Sequence, residues 1–165
     1  TADAILTTAT QAARPGDVLV VSIHWGSNWG FHVPREQVRF AHRLVDGGVH
    51  VVHGHSSHHP RPMEVYRGRL VLYGCGDTVN DYEGIRGHER FRGDLRLLHL
   101  ATLAPDGELL RLRMAPLQAR NLSLRHAATA DVDWLRRTLD EAGAVFGSSI
   151  RRSADGWLDL ALSGR

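Results

Sequence analysis

The sequence predicts an α/β fold, and three patterns in its first third carry that expectation. Two short apolar runs, residues 18–24 and 49–53, read as buried strands of the parallel kind. An amphipathic stretch, Arg35–Asp46, lies between them. Each run delivers histidine at its carboxyl end, His24 in one and His53 with His55 in the other. Strand, helix and strand in about 35 residues form a βαβ unit, whose crossover is right-handed.

The elements follow in order. Residues 1–13 read as a helix with Thr1 at the N-cap position, stopped by Pro15 and Gly16. After the first strand, residues 25–34 form a loop rich in glycine and aromatic residues. Val38, Ala41, Leu44 and Val45 give the second helix its apolar stripe, and Gly47 and Gly48 close it. Met63–Tyr66 and residues 70–73, joined by Arg67, Gly68 and Arg69, read as a hairpin. Residues 74–93 form a long polar loop, a length that in a compact domain points to function or disorder. Residues 95–104 and 108–114 alternate about the turn Pro105, Asp106, Gly107 as a second hairpin. Residues 131–142 form a helix with Val132, Leu135 and Leu139 on one side, and residues 157–162 a last short strand. Nothing divides the chain, so residues 1–165 are expected to form one domain.

With 165 residues, 42% hydrophobic and 23% charged, the chain has the composition of an ordinary globular domain with a real core. The sequence pI of about 9.2 comes with a net charge of only +2, and the arginines are scattered. Pairs such as Arg136 with Arg137 and Arg151 with Arg152 read as solvated faces. No nucleic-acid footprint is expected. No stretch is long and apolar enough to span a membrane. Cys75 is the single cysteine, which excludes an internal disulfide. The chain begins without methionine, directly in a helix-like stretch, so a fragment or processed piece is expected and targeting is left open between envelope and cytoplasm.

The chemistry concentrates in the run His53, Gly54, His55, Ser56, Ser57, His58, His59. Imidazole is the commonest protein metal ligand, and loops beyond the carboxyl ends of strands are where open α/β sheets place their sites. His55 and His58 sit on a tight loop whose small serines let both rings face one point. A His-rich polar surface is the alternative. His24 is the natural third ligand, or else a core histidine bonded to backbone. His53 packs in the sheet or supports a ligand, and His59 is held extended before Pro60. Asn28 stands where a side chain could meet substrate. Asp77, Asn80, Asp81 and Glu83 offer oxygen ligands or a general acid, or are simply a solvated loop. Cys75 reads as a small buried thiol rather than a nucleophile.

Taken in order, His24-Trp25-Gly26, Gly54-His55-Ser56-Ser57-His58, residues 62–69 (PMEVYRGR) and residues 72–77 (LYGCGD) resemble the CapA family of bacterial capsule, or poly-γ-glutamate, synthesis proteins. Residues 131–147, with Trp134, Leu135, Phe146 and Gly147, also look family-like. That family is similar to calcineurin-like metallophosphoesterases, so the resemblance implies the C-terminal half of a four-layer αββα sandwich. It implies His24, His55 and His58 as ligands of a divalent ion (Mn, Fe or Zn); in a hydrolase Asp77 or Asn28 would take the catalytic role of orienting substrate. The first ligands of such sites come from an N-terminal half, which is expected to be missing here and needed to complete the site.

Three readings follow. The chain belongs to a metal-dependent hydrolase acting on a phosphorylated small substrate, to a non-catalytic component that binds an anionic polymer, or to an inactive remnant.

Overall fold

The computed structural model describes residues 1–80 and 85–162. The first helix, α1 (Ala2–Ala12), starts where the Thr1 hydroxyl accepts from the Ala4 amide at 3.4 Å. It buries Leu6 against helix α2 (Arg35–Asp46), and Asp3 pairs with Arg43 at 2.7 Å across the two. Helix α2 in turn buries Ala41, Leu44 and Val45, the stripe its spacing predicts.

Both helices cover one face of a four-stranded sheet. It comprises β1 (Val20–His24), β2 (Val51–His55), β3 (Met63–Tyr66) and β4 (Arg69–Leu72), in the order β1-β2-β4-β3. β1, β2 and β4 are parallel, and β3 returns antiparallel through the expected hairpin. Strand alternation divides the side chains between two cores. Val52, Val71 and Tyr73 pack under α1 and α2, while Val51, Leu70 and Leu72 face a second sheet.

That second sheet is antiparallel: β5 (Leu95–Leu103), β6 (Leu109–Arg120), β7 (Ser123–His126), β8 (Ser149–Arg152) and β9 (Leu158–Ala161). Its path is β5-β6-β9-β8, with β7 on β6. Helix α3 (Thr129–Gly143) packs on β8 and adds Val132, Leu135 and Leu139 to the core between the sheets. Ser148 donates to the Met63 carbonyl at 2.7 Å and ties the β8 end to β3. The β1 and β5 edges therefore lie together at the opposite end of the sandwich.

The α/β class is as expected. The described residues build two sheets, with α1 and α2 on the first and α3 packed against β8 of the second. Arg111 and Arg113 pair with Asp159 on the far face of the second sheet, a face that also carries the exposed Leu98 and Leu100. Two boundaries and two strands also differ. β1 begins at Val20, because the Leu19 amide donates to the His50 ring at 2.8 Å. β6 runs past Pro116, whose carbonyl accepts from the Ala127 amide. β7 and β8 were not expected: β7 is exposed throughout, and β8 buries only Ile150. Neither carries an apolar rhythm for periodicity to detect.

Gly54 shows how tightly the β1–β2–β4 region closes. A Cβ there would lie 2.3 Å from the Trp25 indole nitrogen and 2.6 Å from the Leu72 carbonyl oxygen. That indole donates to the Tyr73 carbonyl at 3.1 Å. Gly54→Ala is expected to lower stability by about 1–3 kcal/mol through overpacking, read as a lower urea midpoint with Trp25 fluorescence shifted.

Candidate functional site

His24 and His55 end adjacent parallel strands as direct register partners, with ring centres 5.2 Å apart and nearly perpendicular. Ser22 and His53 are the pair behind them, joined at 3.0 Å through His53 Nδ1. All four side chains share the face that looks toward the second sheet, at its open β1–β5 end. His55 therefore belongs to β2 and not to the loop after it, a correction to the expected boundary. The carboxyl ends of the strands still carry the site.

His58 is on that loop and has different company. Its Nδ1 meets Asp77 Oδ2 at 3.0 Å. The same carboxylate takes Asn80 Nδ2 at 2.9 Å and Arg96 Nη1 at 3.2 Å. Arg96, only 2% exposed, also donates to the His58 carbonyl. A carboxylate on one imidazole nitrogen fixes the orientation of the ring. Trp29 lies 5.3 Å from the His58 ring and stacks on His88 at 4.3 Å. Asn28 accepts from the Ser56 hydroxyl at 3.2 Å, and its carbonyl takes the His58 amide. Asn28 so braces the histidine loop rather than standing apart from it. Asp81 and Glu83 lie outside the described residues.

Two groups result, a His24–His55 pair and a His58–Asp77–Arg96 cluster. Among the described residues, no three histidine, cysteine, aspartate or glutamate side chains converge as metal ligands. Two imidazoles on one tetrahedral ion, with bonds of about 2.0–2.1 Å, have ring centres roughly 5 Å apart. His24 and His55 meet that spacing, so they fit as part of a ligand set and fall short of a complete one.

Sequence reasoning missed Arg96 and Trp29. The signal for Arg96 was present: a lone arginine inside the apolar run of β5, where a buried cation needs a partner.

The remaining candidates have structural roles. His59 is fully buried: its Nε2 accepts from the Gly30 amide at 3.0 Å, and its Nδ1 donates to the Pro60 carbonyl at 2.9 Å. Burial holds its pKa down to about 4. Burial pushes the Cys75 thiol up to about 12, which keeps it protonated and unreactive, as expected of a small buried cysteine.

Residues 1–82 match the family described as bacterial capsule synthesis protein PGA_cap. Over 160 residues the chain is 49% identical to a probable polyglutamine synthesis accessory protein of Mycobacterium tuberculosis strain H37Rv. That match covers 96% of this chain and 42% of the relative's length. The chain is also 32% identical over 72 residues to the PGA biosynthesis protein CapA of Bacillus subtilis, 44% of this chain and 19% of that protein. With the capsule biosynthesis protein CapA of Bacillus anthracis, identity is 29% over 83 residues, 48% of this chain and 20% of that one.

Two outcomes test the local chemistry. Asp77→Ala leaves Arg96 buried without its carboxylate and is expected to cost ~3 kcal/mol, with Asp77→Asn milder, both read by denaturant unfolding. The His59 bonds require a neutral ring, whereas the unfolded ring protonates below about 6.5. The unfolded chain then binds the extra proton, so stability is full at neutral pH and falls as pH drops from about 6.5 toward 4. His59→Phe is expected to shallow that decline in unfolding free energy against pH.

Proposed function

The chain belongs to the bacterial capsule synthesis protein family, and from that premise we propose that it carries part of a metal-dependent, metallophosphatase-like hydrolase site in a protein serving capsule or polyglutamate synthesis. One observation carries the reading: adjacent parallel strands end in register on His24 and His55, with a carboxylate-held His58 on the next loop.

His24 and His55 would hold one divalent ion (Mn, Fe or Zn) from two sides, with His58 nearby and further ligands supplied from outside the described residues. When bound, such an ion polarises a phosphoryl or amide centre and acidifies water. The chain's own groups do the rest. Asp77 orients His58 and supports positive charge on it during proton transfer. Arg96 braces Asp77 from beneath, at 3.2 Å in a buried setting. Asn28 and Ser56 shape the loop around the imidazoles, and Trp29 walls the far side. A phosphorylated small substrate or an anionic polymer fits this setting.

A second reading is polymer binding without turnover. The chain spans 42% of the length of its Mycobacterium tuberculosis relative, so the hydrolase reading concerns the longer protein.

Metal analysis by mass spectrometry on the full-length protein decides between them. Bound divalent metal is expected, lost in His24→Ala/His55→Ala. Hydrolysis of p-nitrophenyl phosphate is expected to fall with it, by more than the roughly 10–100-fold that loss of a supporting group costs. Equal metal content in both proteins, with no hydrolysis in either, overturns the hydrolase reading in favour of binding alone.

A further inference from the structure

Beside the His58 cluster lies a pocket of about 290 Å³. That is the small end of ligand-site volumes, roughly 300–1,000 Å³, and suits one ring system rather than a whole ligand. Its lining includes Trp29, Ile85, Arg86, His88 and Gly93. Trp29 and His88 stack at 4.3 Å with their planes 8° apart, which makes one wall flat and two rings deep. The same Trp29 ring stands 5.3 Å from the His58 ring. Gly93 also joins the pocket to the cluster: a Cβ there would lie 3.4 Å from both the Trp29 ring and the His58 carbonyl oxygen.

The wall is held in place by its neighbours. Trp29 also stacks on His59 and Phe91, with ring centres 5.9 and 5.7 Å away. His59 is itself fixed by the Gly30 amide and the Pro60 carbonyl. The Ser27 hydroxyl donates to the Trp29 carbonyl at 2.8 Å and accepts from its amide at 3.3 Å. A wall ordered before the ligand arrives loses little entropy when it binds. The charges at the rim, by contrast, select little. Arg92 is paired with Asp94 and Asp131. Arg86 and Glu89 are both exposed and opposite in sign, and Glu89 already takes the Gly87 amide at 2.9 Å. That leaves the flat aromatic wall to choose the ligand.

We propose that this pocket seats a planar aromatic group of the substrate, packed against Trp29 and His88, while the phosphoryl group lies at the histidines. The place of the phosphoryl group rests on the hydrolase reading above; the aromatic wall stands without it. An aromatic ring packs offset or edge-on against indole and imidazole with a gain beyond the area it buries. A puckered ring of the same size fills the space without that gain. Trp29 borders both His58 and the pocket, so one side chain sets the distance between the reacting group and the ring. The substrate class is therefore an aryl or heteroaryl phosphoester.

Calorimetric titration of phenylphosphonate and cyclohexylphosphonate into the full-length protein tests this. The two carry the same headgroup and rings of the same size, and only the first is flat. Phenylphosphonate is expected to bind about 3–10-fold more tightly. His88→Ala, which keeps the backbone carbonyl that the Phe91 amide uses, is expected to abolish that preference, and His88→Phe to retain it. Metal content and hydrolysis of p-nitrophenyl phosphate are read on the same samples, so the two proposals fail separately. A preference for the flat ring in protein that holds no metal supports the pocket and counts against the hydrolase reading. Equal affinities in metal-bound protein overturn the pocket and leave the hydrolase reading standing. A preference undiminished in His88→Ala, or binding of neither compound, also overturns the pocket.

Discussion

The parallel register of β1 on β2 is the constraint from which the rest of the site follows. Val20 opposes Val51, and two pleats later His24 opposes His55. A slip of one residue would turn His24 and Ser22 to the α2 side and put Val21 and Ile23 toward the second sheet. The hydrophobic cost forbids this, because Val21 and Ile23 pack with Leu44, Val52 and Val71 under the helices. The histidine pair is thus placed by apolar side chains on the other face of the same strands. Gly54 completes the arrangement, since only a residue without Cβ lets the Trp25 indole and the β4 backbone close over that point.

Much of this was legible in the sequence, for reasons that differ by element. The βαβ unit was readable because both its strands are apolar and α2 has a clean stripe ending at Gly47. The hairpin at Arg67 and Gly68 was readable because its turn residues sit between two apolar runs; both adopt positive φ, 51° and 75°. What the sequence concealed was set by distant partners. The extent of β2 depends on pairing with β1, so the place of His55 in a strand could not be read from Gly54 and the serines that follow. His24, His55 and His58, singled out together in the sequence, divide into two groups in the structure. Asp77, 19 positions from His58, decides that division.

Arginine organises the polar interior. Arg96 and Arg61 are both 2% exposed, but their environments differ. Arg96 meets a carboxylate and a carbonyl, so its charge is compensated and its position fixed. Among the described residues Arg61 has a carbonyl only, and burial lowers its pKa. Removing a cation from water costs several kcal/mol unless charge is returned, so Arg61 biases its surroundings toward any negative group that approaches. One arginine is consumed in building the histidine cluster. The other leaves a positive field behind the loop at residues 31–33.

Both chemistries hang from the same strand end. The segment that leaves β1 at His24 carries Trp25 into the sheet and Asn28 and Trp29 onto the histidine loop. It then continues through Phe31, His32 and Val33 to the start of α2. This one segment therefore joins the inner-face histidines to the helix on the outer face. The His59 ring pins the middle of this segment through the Gly30 amide, stacked with Trp29 and Phe91 and met edge-on by Phe31. Anything that shifts this loop at one end must move it at the other or break that bond. The neutral, buried His59 thus anchors the segment after β1 to the loop that follows β2.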